Sequence, residues 1–550
     1  MRLFGVLLLT LCINWNCFSQ TISVNDDYAN ELARVHQLLG GVDSITSFTV
    51  RPLNLTGDSL LSKLVSGKNL LHPVNGRPSV LSIQLLPFNW LNDFNLNRPY
   101  GYNDGSLYPA RGYQTRVSGG LYVKAGVLVL QLAPEIVYAQ NENFATFNNV
   151  QAGNNDKQLI SSYFGIVNGI DAPERFGTAP LTHLYWGQSK LTVNFRDIEV
   201  GLSTENLWWG PGIQNSIMMS NSAPGFLHWT VNSVKPMKTF LGSFEWQIIG
   251  GELKESGYRP DTAGLANAAN YYTAKPVVTR YISAFTINWH PKWVDGFFVG
   301  ASAYDYMNID STYHKWSTIH KLVPVFIGSS VKDNAITSTN NGDGQDLAIA
   351  LNFRQVFVKY KAEIYAEWAR NDWSASLNDF LQDPEHSAAY TIGGRKLFDL
   401  LNGAFLQFKT ELTHLERDPS YLVRNDPIWY VHGVAPQDGY TNQGRYVGAG
   451  IGPGSNSLMW DIGYLKGMCT FGMTIERLVH DNDLYNVAFE NTGVYNQHWV
   501  DLSDTFYSRV KIKNYLVSAE LTPVYTLNYE YKSGSSYNLH TQLNLTYYFD

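Results

Sequence analysis

Cysteine, charge and long apolar runs are all scarce in this 550-residue chain. Its three cysteines include Cys12 and Cys17 near the N-terminus, so the rest of the chain holds only Cys469. One thiol cannot close an intrachain bridge, and no Cys/His set has zinc-finger spacing, so a disulfide scaffold and a cysteine-built zinc module are excluded. Charged residues make up 16% of the chain, against roughly 25% in ordinary soluble proteins. The formal net charge of −7 argues against a nucleic-acid partner and against a polybasic membrane-surface segment. Past the N-terminus there is no uncharged apolar run of about 18 residues, which excludes spanning helices. The sequence also lacks G-x-S-x-G and H-E-x-x-H, and Gly448 to Gly454 (G-A-G-I-G-P-G) misses the dinucleotide-binding spacing. No enzyme activity, cofactor or metal is therefore expected. Asn340 to Asp346 (N-N-G-D-G-Q-D) is rich in oxygen atoms, but without EF-loop spacing it reads as a solvated loop rather than a calcium site.

Aromatic residues, by contrast, are abundant: 14% of the chain, with 34 Tyr and 15 Trp. Few charges, many Tyr and Trp and no spanning helix are what a transmembrane antiparallel β-barrel requires, with its apolar lipid face and aromatic girdles. The N-terminus fits export. Arg2, the apolar stretch Leu3 to Leu11, and Cys17 and Ser19 placed before Gln20 read as a secretory signal over residues 1–19. Asn16 before Cys17 and Leu11 before Cys12 do not make a lipidation site.

Strand patterning separates a barrel from a secreted β-sandwich or propeller. Tyr537 to Phe549 alternates apolar and polar neutral residues, long enough for a tilted strand to cross a bilayer, although Asp550 follows the terminal Phe549. A two-residue turn at Arg196-Asp197 pairs Phe195 with Ile198, Val193 with Val200 and Leu191 with Leu202 on one apolar face. A turn at Gly126-Val127 does the same for Ala125/Leu128, Val123/Leu130 and Leu121/Leu132. A third, at Arg354-Gln355, pairs Phe353/Val356, Leu351/Val358 and Ile349/Tyr360, and puts Lys359, Lys361, Glu363 and Glu367 on a charged lumen face. Such strands exceed the roughly 5–6 residues of soluble sheets. Between them, unpatterned polar stretches are expected to be long outer loops: Asn141 to Leu181, Lys254 to Thr279, Met307 to Gln345, Asn371 to Asn402, Arg417 to Ser457 and Val479 to Thr505.

Near the start, Tyr28, Leu32, Val35 and Leu39 recur at helical spacing before Gly40-Gly41, and Pro52, Pro73 and Pro78 then interrupt the chain. The expected partition is a signal at 1–19, an N-terminal helical segment at 20–78, either periplasmic or plugging the lumen, and a barrel with long outer loops at 79–550.

Trp186 to Trp229 contains E-N-L-W-W-G-P-G followed by I-M-M-S-N-S-A-P. With R-P-Y-G-Y-N-D-G at Arg98 to Gly105, the segment Gly439 to Ser457, and the helix leading into S-F-T-V-R-P-L, the chain closely resembles the capsule-assembly Wzi family over nearly its whole length. That resemblance implies an outer-membrane barrel of about 18 antiparallel strands. It also implies a non-enzymatic, lectin-like role in assembling or retaining capsular or other surface polysaccharide at the cell surface. Polysaccharide and outer-membrane lipid are the expected partners, and a monomer the expected state. Trp208 and Trp209 would offer faces for sugar stacking, with Glu205, Asn206 and Asn215 bonding hydroxyls and Gly210, Pro211 and Gly212 setting the bend. The opposing reading packs the Trp pair inside the barrel and has Glu205 satisfy a buried Arg or a backbone group. A channel passing small solutes is the competing function.

Overall fold

The structure is a computed structural model. It describes residues 21–41, 45–54, 81–309 and 345–549, apart from 261, 263–264, 266–267, 276, 372–376, 419–425, 433–437, 490–493 and 495. The signal at 1–19, Pro73, Pro78 and the oxygen-rich stretch 340–344 lie outside the described residues.

Alternation along each strand sets the architecture. In the hairpin of Lys190–Phe195 and Ile198–Ser203, Leu191, Val193, Val200 and Leu202 are 45–52% exposed, while Lys190, Thr192, Asn194 and Glu199 are buried. A soluble protein would invert that order; here the apolar face meets lipid and the ionic face meets the lumen. Eighteen spanning strands close into one antiparallel barrel. Three are interrupted: Leu128–Leu132 continues as Glu135–Ala139, Leu181–Tyr185 as Lys190–Phe195, and His228–Ser233 as Met237–Thr239. Closure joins the last strand, Ser535–Tyr547, to the first, Leu81–Asn95, with Leu543 opposite Asn92.

Two of the three expected hairpins have the expected register. Phe195 pairs with Ile198 and Leu191 with Leu202, and Ala125 pairs with Leu128 and Leu121 with Leu132. Gly126 supplies the left-handed backbone of its turn at φ +61, whereas Arg196 adopts it at φ +59 despite its Cβ.

The third hairpin is displaced. Strand Gln345–Phe357 runs through Arg354-Gln355 and turns only at Val358–Lys361, so that Phe357 pairs with Ala362, Phe353 with Ala366 and Leu351 with Trp368. No turn-forming dipeptide marks either place, and both placements pair apolar with apolar. Packing decides between them, because the longer strand carries Val356 inward against Val35 and Leu38. Lys359 and Lys361 consequently sit in the turn, where Lys361 pairs with Asp399, and only Glu363 and Glu367 of the expected charged set face the lumen.

The expected loop Asn371 to Asn402 likewise contains a strand, Ala388–Asp399, with Ile392 and Phe398 outward. Gly393-Gly394 and Arg395-Lys396 conceal its alternation. A Cβ on Gly393 would come within 2.4 Å of the Tyr365 hydroxyl, and Arg395 is committed to ion pairs inside the barrel. Tight turns gather at one end, and the long connections at the other hold further structure. There, helices α2 (Lys157–Val167) and α3 (Asn482–Phe489) pack Ile160 and Phe164 against Leu484 and Ala488.

Helix α1 (Asp27–Leu38), capped by Asp26 accepting from the Ala29 N–H, lies inside the barrel at the tight-turn end. Tyr28, Leu32 and Val35 are buried, as is Leu38; Leu39, assigned to that stripe by spacing, is 37% exposed because the helix ends one residue earlier. Its polar face meets charges on the wall. Glu363 forms ion pairs with Arg34 at 2.8 Å, Arg354 at 2.6 Å and Arg395 at 3.3 Å, while Glu31 pairs with Arg395 at 2.7 Å and Lys409 at 3.3 Å.

Leu351→Arg, pointing to lipid, should cost about 2–4 kcal/mol, and Lys359→Gln in the turn should be nearly neutral; urea titration in detergent or lipid checks this, and equal losses contradict the face assignment. Deleting 535–549 should abolish closure, read as loss of heat-modifiable gel migration and of membrane fractionation.

Candidate functional site

The connection after strand Ile198–Ser203 turns into the lumen instead of looping outward. Trp208–Trp209 forms a short antiparallel ladder with Val50–Arg51, Trp208 opposite Arg51, extended by the Gly210 N–H donating to the Thr49 carbonyl at 3.0 Å. Trp209 is fully buried and its Nε1 donates to Gln247 Oε1 at 3.0 Å. The guanidinium of Arg51 covers the Trp208 ring at 4.5 Å and donates to the Gly212 carbonyl. Close approach explains both glycines: a Cβ on Gly210 would meet Ser216 Oγ at 2.6 Å, and one on Gly212 the Asn215 carbonyl at 1.9 Å. Beyond the bend, the Glu411 carboxylate accepts the backbone N–H groups of Ile213, Gln214 and Asn215, and Glu367 accepts that of Ile217.

Glu205, Asn206, Trp208, Trp209 and Asn215 are each at most 5% exposed. Glu205 faces Lys190 Nζ at 3.5 Å and accepts from Thr21 Oγ1 and Gln131 Nε2. Asn206 accepts from Gln188 Nε2 and donates to the Ala223 carbonyl, and Asn215 Nδ2 donates to Ser457 Oγ. The cavity beside Glu205 has a volume of about 50 Å³, room for water but not for a sugar ring.

A larger cavity, about 370 Å³, opens toward the long-loop end, within the roughly 300–1,000 Å³ range of ligand sites. Three sequence pieces wall it: 98–105, 220–224 through Ser222, and 444–455. They interlock. Gln214 Nε2 donates to the Tyr102 hydroxyl at 2.9 Å, Asn103 Nδ2 to the Gln214 carbonyl at 2.7 Å, and Ser222 Oγ to Asn103 Oδ1 at 2.9 Å. Ser220 N–H donates to the Val447 carbonyl, and a Cβ on Gly450 would strike Ser222 Oγ. The buried Trp block does not itself line the cavity; through Gln214 and Ser222 its connection forms the floor on which the lining segments rest.

Its opposite wall comes from residues without any sequence signal. His480 stacks on Trp499 with ring centroids 3.9 Å apart and bonds Asp501 through Nε2 at 2.9 Å. Tyr529 meets Trp499 edge-on at 5.1 Å and carries the Arg98 guanidinium over its face at 4.7 Å. Asp104 and Asp481 also line the cavity; burial pushes both carboxyls up to about 7, Asp104 with help from neighbouring Asp93.

A family model described as Capsule assembly protein Wzi matches residues 112–484. No curated protein sequence matches the chain. Among solved structures, Escherichia coli Wzi, described as an outer-membrane protein involved in group 1 capsule assembly and a carbohydrate-binding β-barrel, superposes with a TM-score of 0.58 at 11% identity, covering 96% of this chain and 100% of that one. Acinetobacter baumannii OccAB2 aligns with a TM-score of 0.38 at 10% identity, over 84% of this chain and 97% of its own. With more than half of its length matched on a closed barrel of the same fold, the chain belongs to the capsule-assembly Wzi family of outer-membrane proteins.

Proposed function

We propose that this barrel binds capsular or another surface polysaccharide in the outer cavity and helps assemble or retain it at the cell surface, without catalysing a reaction. The observation that carries this reading is the cavity of about 370 Å³ at the long-loop end, with Trp499 and Tyr529 beside polar and carboxyl groups. Amphipathic ring faces suit the C–H surfaces of sugars, and the convergent polar groups suit their hydroxyls. The block from Glu205 to Asn215 serves binding indirectly: Gln214 and Ser222 hold Tyr102 and Asn103 in place, while Trp208 and Trp209 fix the floor. The chain acts as a monomer in lipid, exported by its signal, with its N-terminal segment as a lumen plug. Because α1 and the Trp block cross the lumen among the described residues, an open solute channel is the weaker reading.

Trp499→Ala should weaken binding of purified polysaccharide by roughly fivefold, the equivalent of about 1 kcal/mol of stacking, with thermal stability kept. Trp209→Ala should instead cost roughly 3–5 kcal/mol of stability through the void it leaves. Unchanged binding by folded Trp499→Ala, in solution and in capsule retention on cells, would move the site elsewhere.

Charge adds a pH dependence. Asp104 and Asp481 are neutral below about pH 7 and anionic above it. Affinity for an acidic polysaccharide should therefore fall as pH rises from 6 to 8 in a titration at fixed salt, and Asp481→Asn should flatten the curve. The raised carboxyls also cost stability: with folded pKa above unfolded, that cost grows from about pH 4 and is complete above about pH 7.

A further inference from the structure

Away from the cavity, a second constellation lies where two long connections meet. Asp383 and His386 precede strand Ala388–Asp399, and Asp426 belongs to the connection after strand Phe405–His414. One ligand atom from each, a carboxylate oxygen of Asp383, a ring nitrogen of His386 and a carboxylate oxygen of Asp426, lies within 4.8 Å of the others. His386 Nδ1 stands 3.8 Å from Asp383 Oδ2 and 2.5 Å from Asp426 Oδ1. His386 is 2% exposed and Asp426 5%.

The bonding around this group is incomplete in a particular way. Asp426 Oδ2 is taken by the Ser387 N–H at 2.9 Å, but Asp426 Oδ1 and Asp383 Oδ2 are enclosed and accept no hydrogen bond. The short approach of Nδ1 to Asp426 Oδ1 lacks hydrogen-bond alignment. Enclosed carboxylate oxygens without donors are costly unless a cation satisfies them. The Ser387 contact supplies the outer hydrogen bond that orients a ligating carboxylate, and the Arg417 guanidinium holds the Asp426 carbonyl in place at 3.1 Å.

We propose that Asp383, His386 and Asp426 form a divalent transition-metal site, of zinc or manganese type, that pins the segment before strand Ala388–Asp399 to the outer connection carrying Asp426. One imidazole nitrogen with two carboxylate oxygens suits zinc or manganese better than calcium, which takes six to eight oxygens. Ligand atoms on a tetrahedral zinc stand roughly 3 Å apart, so rotation of the Asp426 side chain opens the short contact as the ion seats. The Asp383 side chain, 11% exposed, gives the ion its path from solvent, and the fourth position stays open to water.

Detergent-purified full-length protein, stripped with EDTA, should regain a higher melting temperature with zinc or manganese chloride and not with calcium chloride. Cobalt(II) should give visible absorption at one equivalent, lost together with the thermal shift in His386→Ala and Asp426→Asn. If a variant does not fold, the cobalt and zinc titrations of the unaltered chain decide. Stripped wild-type protein that shows neither cobalt absorption nor a zinc-dependent shift overturns the site, as does an equal zinc response in wild type and folded His386→Ala.

Discussion

Hydrocarbon offers no partner for a peptide N–H or C=O, and a sheet placed in it must leave no edge. The pairing of Ser535–Tyr547 with Leu81–Asn95 meets that condition, and much else follows from it. Closure fixes which residues of every strand point outward, so Leu191, Val200, Leu351 and Ile392 meet lipid. It equally forces the remaining half of each strand into a confined interior, where polar groups are withdrawn from bulk water. Much of what this chain sends there is ionic charge, Arg34, Glu363, Arg354, Arg395 and Lys409 among it.

Such charge cannot stand alone. Glu363 would be costly on a bare wall; surrounded by Arg34, Arg354 and Arg395 it becomes the centre of a network that joins α1 to three parts of the barrel. Buried ion pairs add little net stability over apolar packing, yet breaking one partner is expensive, so their effect is to specify one arrangement. Helix α1 therefore has one seat, with its apolar stripe against Val356, Phe298 and Leu397, Glu31 on the wall's cations and Arg34 on Glu363. The Val50–Arg51 ladder continues the same logic, carrying the chain from the plug to the Trp block.

Local pairing was the legible part of this fold. The hairpins at Arg196-Asp197 and Gly126-Val127 could be registered because a slip by one residue reverses every side chain. The hairpin at Val358–Lys361 could not, since moving the turn along a run of β-formers keeps alternation intact and only contact with α1 breaks the tie. Ala388–Asp399 was hidden by residues whose roles are tertiary: Gly393 makes room for Tyr365, and Arg395 reaches Glu31. The cavity divides in the same way. Its floor announced itself as a contiguous string of Trp, Gly and Pro, whereas Trp499, His480 and Tyr529 become neighbours only through closure.

That division bears on where binding specificity resides. The floor is crowded: backbone N–H groups bonded to Glu411, glycines with no room for a Cβ, and two enclosed indoles leave it little latitude. A surface so constrained can hold a shape but cannot be retuned residue by residue. The walls are different, because Trp499 and Tyr529 stand in connections between strands, and connections tolerate change. On the proposed reading, discrimination among glycans belongs to the loop walls, while the Trp block keeps those walls at a fixed distance from the barrel. A cavity assembled this way can change its lining without changing its fold, since the side chains that face it are not those that close the barrel.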